Sequence, residues 1–291
     1  MKKISDFPIQ KLDQTFIDTY FGHIPQKPKQ LFIRGLFPTD KNLVFLTVVG
    51  AREITDYGRA VIEKLISGLR GYPIVIVSGL ALGTDGLSHE SAIANGLGVI
   101  AFPGSGLGES VIYPRSHYLL AEKILNHGGC LLSEYDEKTE SANWTFPQRN
   151  RLMAAISPAT LIIEATHKSG SRITTKLATE YGRDVLAVPG PITSNKSEGP
   201  NELIRLGAIP ITCSSDILEA LGFQVTETPV MDLFSTCTPD EAEILKLLNQ
   251  PTSRNTIIRS GVLPTHKTTI LLSQMELKGL IKEQNGMIIR I

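Results

Sequence analysis

Two stretches of this sequence combine residue types that suit an anionic ligand. Phe146-Pro-Gln-Arg-Asn-Arg151 sets two arginines around an amide just behind an aromatic ring, and Lys168-Ser-Gly-Ser-Arg-Ile-Thr-Thr-Lys176 alternates hydroxyls, glycine and cations. A guanidinium's planar fork matches phosphate oxygens. Glycine lets a backbone come close to a ligand, and amides at a helix start favour anions. Arg149, Asn150 and Arg151 are therefore expected to contact phosphate or base, because packing alone does not explain two arginines flanking an amide. Phe146 either stacks on a base or packs in the core.

Other turns carry similar chemistry. Gly50-Ala-Arg52, Ser78-Gly79 with the glycines to Gly86, Pro103-Gly104-Ser105 with the glycines to Gly108, and Tyr113-Pro-Arg115 each follow a short apolar run. With Lys168, Ser169, Gly170, Arg172 and Lys176 they complete the candidate set, whose cations would neutralise phosphates while amides and hydroxyls cradle a backbone. Each glycine run also has a plain reading, since tight strand-to-helix turns need glycine. Neither run has GxGxxG spacing with an acidic residue placed for a ribose, and there is no GK[ST], so a dinucleotide or ATP site is not expected. Asp85 and His89, four apart, could form an acid/base or metal pair, but Asp85 as a helix cap with His89 packed nearby fits better. Glu164 could be a base or a structural hydrogen-bonding group. No metal cluster and no cofactor are expected.

These loops need a scaffold that brings them to one edge. Val44–Val49, Ile74–Val77, Val99–Phe102, Cys130–Leu132, Thr160–Ile163 and Val185–Val188 are short, almost continuously apolar runs, as expected of strands covered on both faces. Amphipathic segments near Tyr57–Leu69, Leu87–Ala94, His117–Asn126, Arg149–Ile156 and Thr174–Tyr181 separate them. This alternation predicts an α/β fold, a Rossmann-like doubly wound parallel sheet over 41–223, with Ile209–Thr212 as an edge strand. Ligands of such sheets bind outside the strands' carboxyl ends. Residues 1–40, broken by prolines, read as a short extension with one strand near Gln30–Arg34, and 224–238 reads as a linker. Residues 239–291 offer three helical stretches and, around Asn285-Gly286, a hairpin, the pattern of a winged helix-turn-helix. Its candidate recognition helix, Thr265–Lys278, has only His266 and Lys267 near its start, too little for specific duplex readout, so a protein-contact or auxiliary role is expected there in place of transcriptional regulation.

Composition bounds the rest. Lys+Arg and Asp+Glu both number 29 among 291 residues, so any phosphate site must come from local placement of charge. Cys130, Cys213 and Cys237 are widely spaced without a CxxC, which suits reduced thiols in a cytoplasm. No apolar run approaches a bilayer span, and the two N-terminal lysines precede no apolar segment, so neither membrane nor signal peptide is expected.

Taken in order, VVGAREITDYG, VSGLALGTDGLSH, FPGSGLGESVIYP, LLSEY, FPQRNRLMAAIS, IIEATHKSGSRITTKLA, GRDVLAVPGPI and NELIRLGA resemble the DprA/Smf family of DNA-processing proteins from about Leu31 to Leu221. The resemblance implies an extended Rossmann fold that binds single-stranded DNA in a basic pocket, protects incoming strands during natural transformation, loads the RecA recombinase and acts as a homodimer without catalysis. Ala51, Thr84, His117, Arg172 and Thr175 stand where the family usually has Thr, Ile, Asn, Leu and Ala. The N-terminal stretch is also too short for the helical module many members carry. A second reading is a nucleotide-derivative hydrolase resembling the phosphoribohydrolases, whose PGGxGTxxE segment is missing from ATHKSGSRITTKLATE.

Overall fold

A computed structural model describes residues 2–167, 169–224, 238–248, 252–278, 280–284 and 286–290. Lys168, Asn285 and nearly all of the expected linker lie outside the described residues. The chain divides into two compact units, Met1–Gln224 and Val225–Ile291.

The first unit runs β1 (Ile9–Lys11), α1 (Gln14–Phe21), β2 (Phe32–Gly35), β3 (Val44–Val49), α2 (Asp56–Ser67), β4 (Ile74–Ser78), α3 (Thr84–Ala94), β5 (Gly98–Ala101), α4 (Tyr118–Asn126), β6 (Cys130–Ser133), α5 (Thr145–Ile156), β7 (Ala159–Ile162), α6 (Ser171–Glu180), β8 (Asp184–Ala187), α7 (Glu198–Arg205), β9 (Ile209–Pro210) and α8 (Ser214–Ala220). One nine-stranded sheet has the order β1-β2-β6-β5-β4-β3-β7-β8-β9. From β6 to β9 the pairings are parallel, and β2 and β1 close one edge antiparallel. The expected doubly wound α/β sheet is therefore present, with its inner strands β4, β5, β6 and β7 buried on both faces as their apolar runs require. Chain order runs outward from β3 in both directions, through β4, β5 and β6 one way and β7, β8 and β9 the other. The crevice at this reversal, between the carboxyl ends of β3 and β7, is where an open sheet of this kind holds ligands.

Residues 1–40, read as a short extension with one strand near Gln30–Arg34, supply that strand as β2 and a second, β1, to the sheet, and Ile17, Phe21, Ile24 and Leu31 enter its core. Helix α7 was absent from the sequence reading. A larger difference concerns α5, which begins at Thr145, a turn before the expected Arg149. Pro147 falls in its first turn, where an amide would lack an intrahelical partner and a fixed φ is tolerated. The whole Phe146–Arg151 motif is consequently helical.

The second unit contains α9 (Pro239–Leu247), β10 (Thr252–Ser253), α10 (Arg254–Arg259), α11 (Thr265–Leu277), β11 (Ile281–Gln284) and β12 (Met287–Arg290). Its strands form an antiparallel sheet of order β10-β12-β11. Ile244, Leu245, Ile257, Leu272, Met275, Ile281 and Ile288 make its core. Thr238 and Glu241 cap α9 reciprocally, and Ser253 caps α10. No described helix is long and apolar enough to cross a membrane.

Candidate nucleic-acid interface

The crevice at the strand-order reversal holds a cavity of about 380 Å³, within the size range of small-ligand sites. The loop after β3 supplies Gly50, Ala51 and Arg52, and α5 supplies Phe146, Arg149 and Asn150. The start of α6 supplies Ser169, Gly170, Ser171 and Thr174, with Ala81, Asp85 and Lys196 completing the wall. Helix α5 serves this cavity with one face. Phe146, Arg149, Asn150 and Met153 stand at i, i+3, i+4 and i+7, whereas Gln148 and Arg151 turn to the other side.

The arginine of the first loop is the accessible one. Arg52 is exposed, and its guanidinium lies 5.1 Å from the centroid of the Phe146 ring, a cation–π contact that holds ring and charge together at the mouth. Tyr113 sits 5.9 Å from the same ring. A Cβ at Gly104 would overlap Phe146, so the glycine makes room for the ring instead of facing a ligand.

Arg149 is only 5% exposed. Its Nη1 donates to the Phe102 carbonyl, and the guanidinium lies flat on Gly79, where a Cβ would overlap it. Burial lowers its pKa to about 10, with Asp85 opposing and Arg52 assisting the shift, so it stays charged at neutral pH. Its Nε has no hydrogen-bond partner among the described residues, nor does the buried Thr174 Oγ1 on the facing helix. Buried polar atoms that line a cavity and lack partners are the ones a ligand or water would satisfy. Asp85 closes the turn below. Its Oδ2 accepts from the amides of Gly79 at 3.1 Å and Ala81 at 3.3 Å. These bonds bracket Leu80, whose φ of +60° is uncommon for a side chain other than glycine or asparagine. The Leu80 carbonyl is paired with His117 Nδ1 at 2.8 Å, at the position where the resembled family carries Asn. His89 packs fully buried on α3, with both ring nitrogens unpartnered, and burial lowers its pKa to about 3. Asp85 and His89 are thus not an acid/base pair, and among the described residues no group of three or more His, Cys, Asp or Glu side chains could hold a metal. Glu164 accepts from the amide and hydroxyl of Thr55, whose hydroxyl in turn caps α2.

The remaining expected residues fall into separate places. Asn150 Nδ2 donates to the Gly170 carbonyl at 3.4 Å, so the two motifs that opened the sequence reading meet at the cavity. Ser78 and Ser105 are fully buried, their hydroxyls donating to the carbonyls of Val48 and Gly106. Arg151, 8% exposed, pairs with Glu134 on the far side of α5. Arg172 and Lys176 lie along an adjoining groove on α6 and pair with Glu202 at 2.8 Å and Glu180 at 3.8 Å. Arg115 is exposed, lines none of these cavities, and lies over the Tyr118 ring. Sequence reasoning missed Ser171, Thr174 and Lys196. The first two were legible as the first turn of α6, while Lys196 arrives from a loop remote in sequence and donates to the Glu53 carbonyl.

The family profile described as DNA recombination-mediator protein A matches residues 9–222. The chain belongs to this family. Protein Smf of Escherichia coli is 35% identical over 91% of this chain and 72% of its own length. DNA processing protein DprA of Streptococcus pneumoniae is 40% identical over 76% of this chain and 77% of its own length. The X-ray structure of DNA processing protein A from S. pneumoniae superposes with a TM-score of 0.65 at 34% identity, covering 75% of each chain. That of the Helicobacter pylori protein, described as giving insight into its single-stranded DNA binding mode, also scores 0.65, at 29% identity, over 75% of this chain and 97% of that one. The family is thus one of recombination mediators, and these relatives are named for DNA processing. None of these comparisons favours the nucleotide-hydrolase alternative.

Proposed function

We propose that this mediator binds single-stranded DNA in the cavity between β3 and β7, protects the strand, and loads the RecA recombinase onto it. The observation that carries the reading is the pairing of Arg52 with Phe146 at the mouth of a cavity whose wall is the start of α6. A base stacks on the Phe146 ring, a neighbouring phosphate meets Arg52, and the Gly170 amide at the start of α6 faces the strand, the Ser169 amide being taken by the Thr166 carbonyl. Arg149, held by the Phe102 carbonyl and flanked by Asp85, forms the cationic floor. Arg172 and Lys176 extend positive charge along α6, partly offset by their carboxylate partners. Among solved relatives, the H. pylori protein supports the choice of ligand. The protein acts in the cytoplasm as a homodimer, and its second unit is a winged-helix domain that makes auxiliary contacts.

Fluorescence anisotropy with labelled oligo-dT tests the site. Phe146→Ala is expected to cost about 1–3 kcal/mol of binding, the range for one base–aromatic stack. Arg52→Ala should weaken binding and make the salt slope shallower by about 0.7, one phosphate's worth on a single strand. Wild-type affinity in an Arg52→Glu/Phe146→Ala double variant that keeps the native circular dichroism spectrum would refute the assignment. Size-exclusion chromatography with light scattering reports the dimer, and RecA's DNA-dependent ATPase on a pre-coated strand reports loading.

A further inference from the structure

Trp144 is the only tryptophan in the chain and is 55% exposed, although large aromatic rings usually find cover. It stands immediately before α5, two residues from Phe146. Thr145 between them is fully buried, and its hydroxyl donates to the Gly104 carbonyl at 2.6 Å and accepts from the Ala142 amide at 3.1 Å. That anchor fixes the backbone from which the two rings depart in different directions, Phe146 into the cavity and Trp144 toward Tyr135. The Tyr135 ring meets Trp144 edge-on at 5.6 Å and 89°, and the Tyr135 hydroxyl donates to the Thr145 carbonyl at 3.1 Å. Trp144 is therefore held in place along one edge while more than half of it faces solvent.

Beyond Trp144 lies a groove of about 590 Å³ lined by Lys27, Lys29, Gln148 and the Arg151–Glu134 pair. Its cations are not equivalent. Lys27 pairs with Asp18 and Arg151 with Glu134, and Gln30 reaches Asp136. Among the described residues Lys29 has no ion-pair partner and is exposed. The groove thus sets amide side chains and one free ammonium beside a fixed, exposed indole that packs on Tyr135 of its lining, which is the chemistry of a stacked base followed by a single phosphate. The first turn of α5 separates it from the cavity, and Trp144 adjoins it through Tyr135, which lines it.

We propose that Trp144 is a second stacking surface for single-stranded DNA, so that a strand leaving the Phe146 cavity crosses the start of α5, stacks a base on the indole and places its next phosphate by Lys29. This rests on the cavity binding the strand, and the experiment separates the two.

The single tryptophan makes the test direct. Full-length protein is titrated with oligo-dT, following Trp144 emission and its quenching by acrylamide, and affinities are measured for Trp144→Ala, Trp144→Phe and Lys29→Ala. Expected are quenched emission and reduced acrylamide access on binding. Trp144→Ala should lose roughly five- to thirtyfold in affinity, the lower part of the range for one stacked base, with Trp144→Phe recovering most of it. If Trp144→Ala does not fold, the acrylamide measurement on wild type and the Trp144→Phe affinity decide. Binding that depends on Phe146 but leaves emission, acrylamide access and the Trp144 variants' affinities unchanged overturns the second surface and leaves the cavity reading standing. No oligonucleotide binding by the wild-type protein overturns both.

Discussion

Replacing Arg151 by alanine separates a structural arginine from a ligand-facing one. The Arg151 and Glu134 side chains are 10% and 13% exposed, and neither Arg151 Nη1 nor Glu134 Oε1 has another partner among the described residues. Burial already holds the Glu134 carboxyl above its ordinary range, with Arg151 pulling it down. Removing one member of such a pair costs about 3–5 kcal/mol, because the other charge stays buried without compensation. Since the pair opens onto a groove, the lower end, about 3 kcal/mol, is expected. In a unit of this size each kcal/mol moves the melting temperature by roughly 2–4 °C, so Arg151→Ala should melt about 6–12 °C below wild type. The sign with pH follows from linkage. With the arginine gone the folded-state pKa of Glu134 rises further, protonation then favours the native state, and the deficit should shrink as pH falls from about 8 toward 5. Glu134→Leu combined with Arg151→Met should recover most of the loss, since a buried pair is often replaceable by apolar groups of similar volume. Differential scanning calorimetry gives the midpoints, and oligo-dT affinity measured well below them should change by less than about threefold, too little for a lost charge-assisted phosphate contact. An unchanged midpoint together with a tenfold or greater loss of affinity would refute the reasoning and make Arg151 a DNA ligand.

Two further perturbations probe the floor of the cavity. His89 is held neutral by burial, with the positive charges of His117 and Arg149 adding to the effect, and its pKa lies near 3. Its contribution to stability is thus complete above its unfolded value of about 6.5 and is lost as pH falls, at up to about 1.4 kcal/mol per pH unit. His89→Leu should flatten the dependence of the urea midpoint between pH values of about 7 and 4.5, and an equal slope in both proteins would exclude the buried imidazole as its source. Gly79→Ala places a methyl group in the space of the Arg149 guanidinium, which the Phe102 carbonyl prevents from withdrawing. The expected cost is about 1–3 kcal/mol of stability together with weaker oligo-dT binding, read from urea unfolding and anisotropy.

Much of the fold is legible in the chain because its signals are local. Runs such as Val44–Val49 and Ile74–Val77 are almost continuously apolar, as a sheet covered on both faces requires. Boundaries failed where tertiary contacts override local signals. The strand legible near Gln30–Arg34 is β2, but β1 and α1 before it carry no clear local signal and are fixed by contacts, β1 pairing with β2 as β2 pairs with the edge of β6. The amphipathic stretch legible from Arg149 starts one turn later than α5 itself, and that offset bears on the site. With the helix begun at Thr145, spacing alone would have put Phe146, Arg149 and Asn150 on one face and Arg151 on the other.

Residue types and spacing by themselves determined that strand-end turns rich in glycine, hydroxyls and arginine converge on one edge of a parallel sheet, and singled out the two motifs that meet at its cavity. Those are consequences of chain-local chemistry, of β-branched runs, turn glycines and helix starts. The tertiary structure alone decided which cations line the cavity. The strand order reverses between β3 and β7, so the cavity opens beside Arg52, while burial assigns Arg149 to the floor and Arg151 to a pair with Glu134. A charge's role depends on its solvent access and its partners, and both are fixed by contacts between segments far apart in sequence.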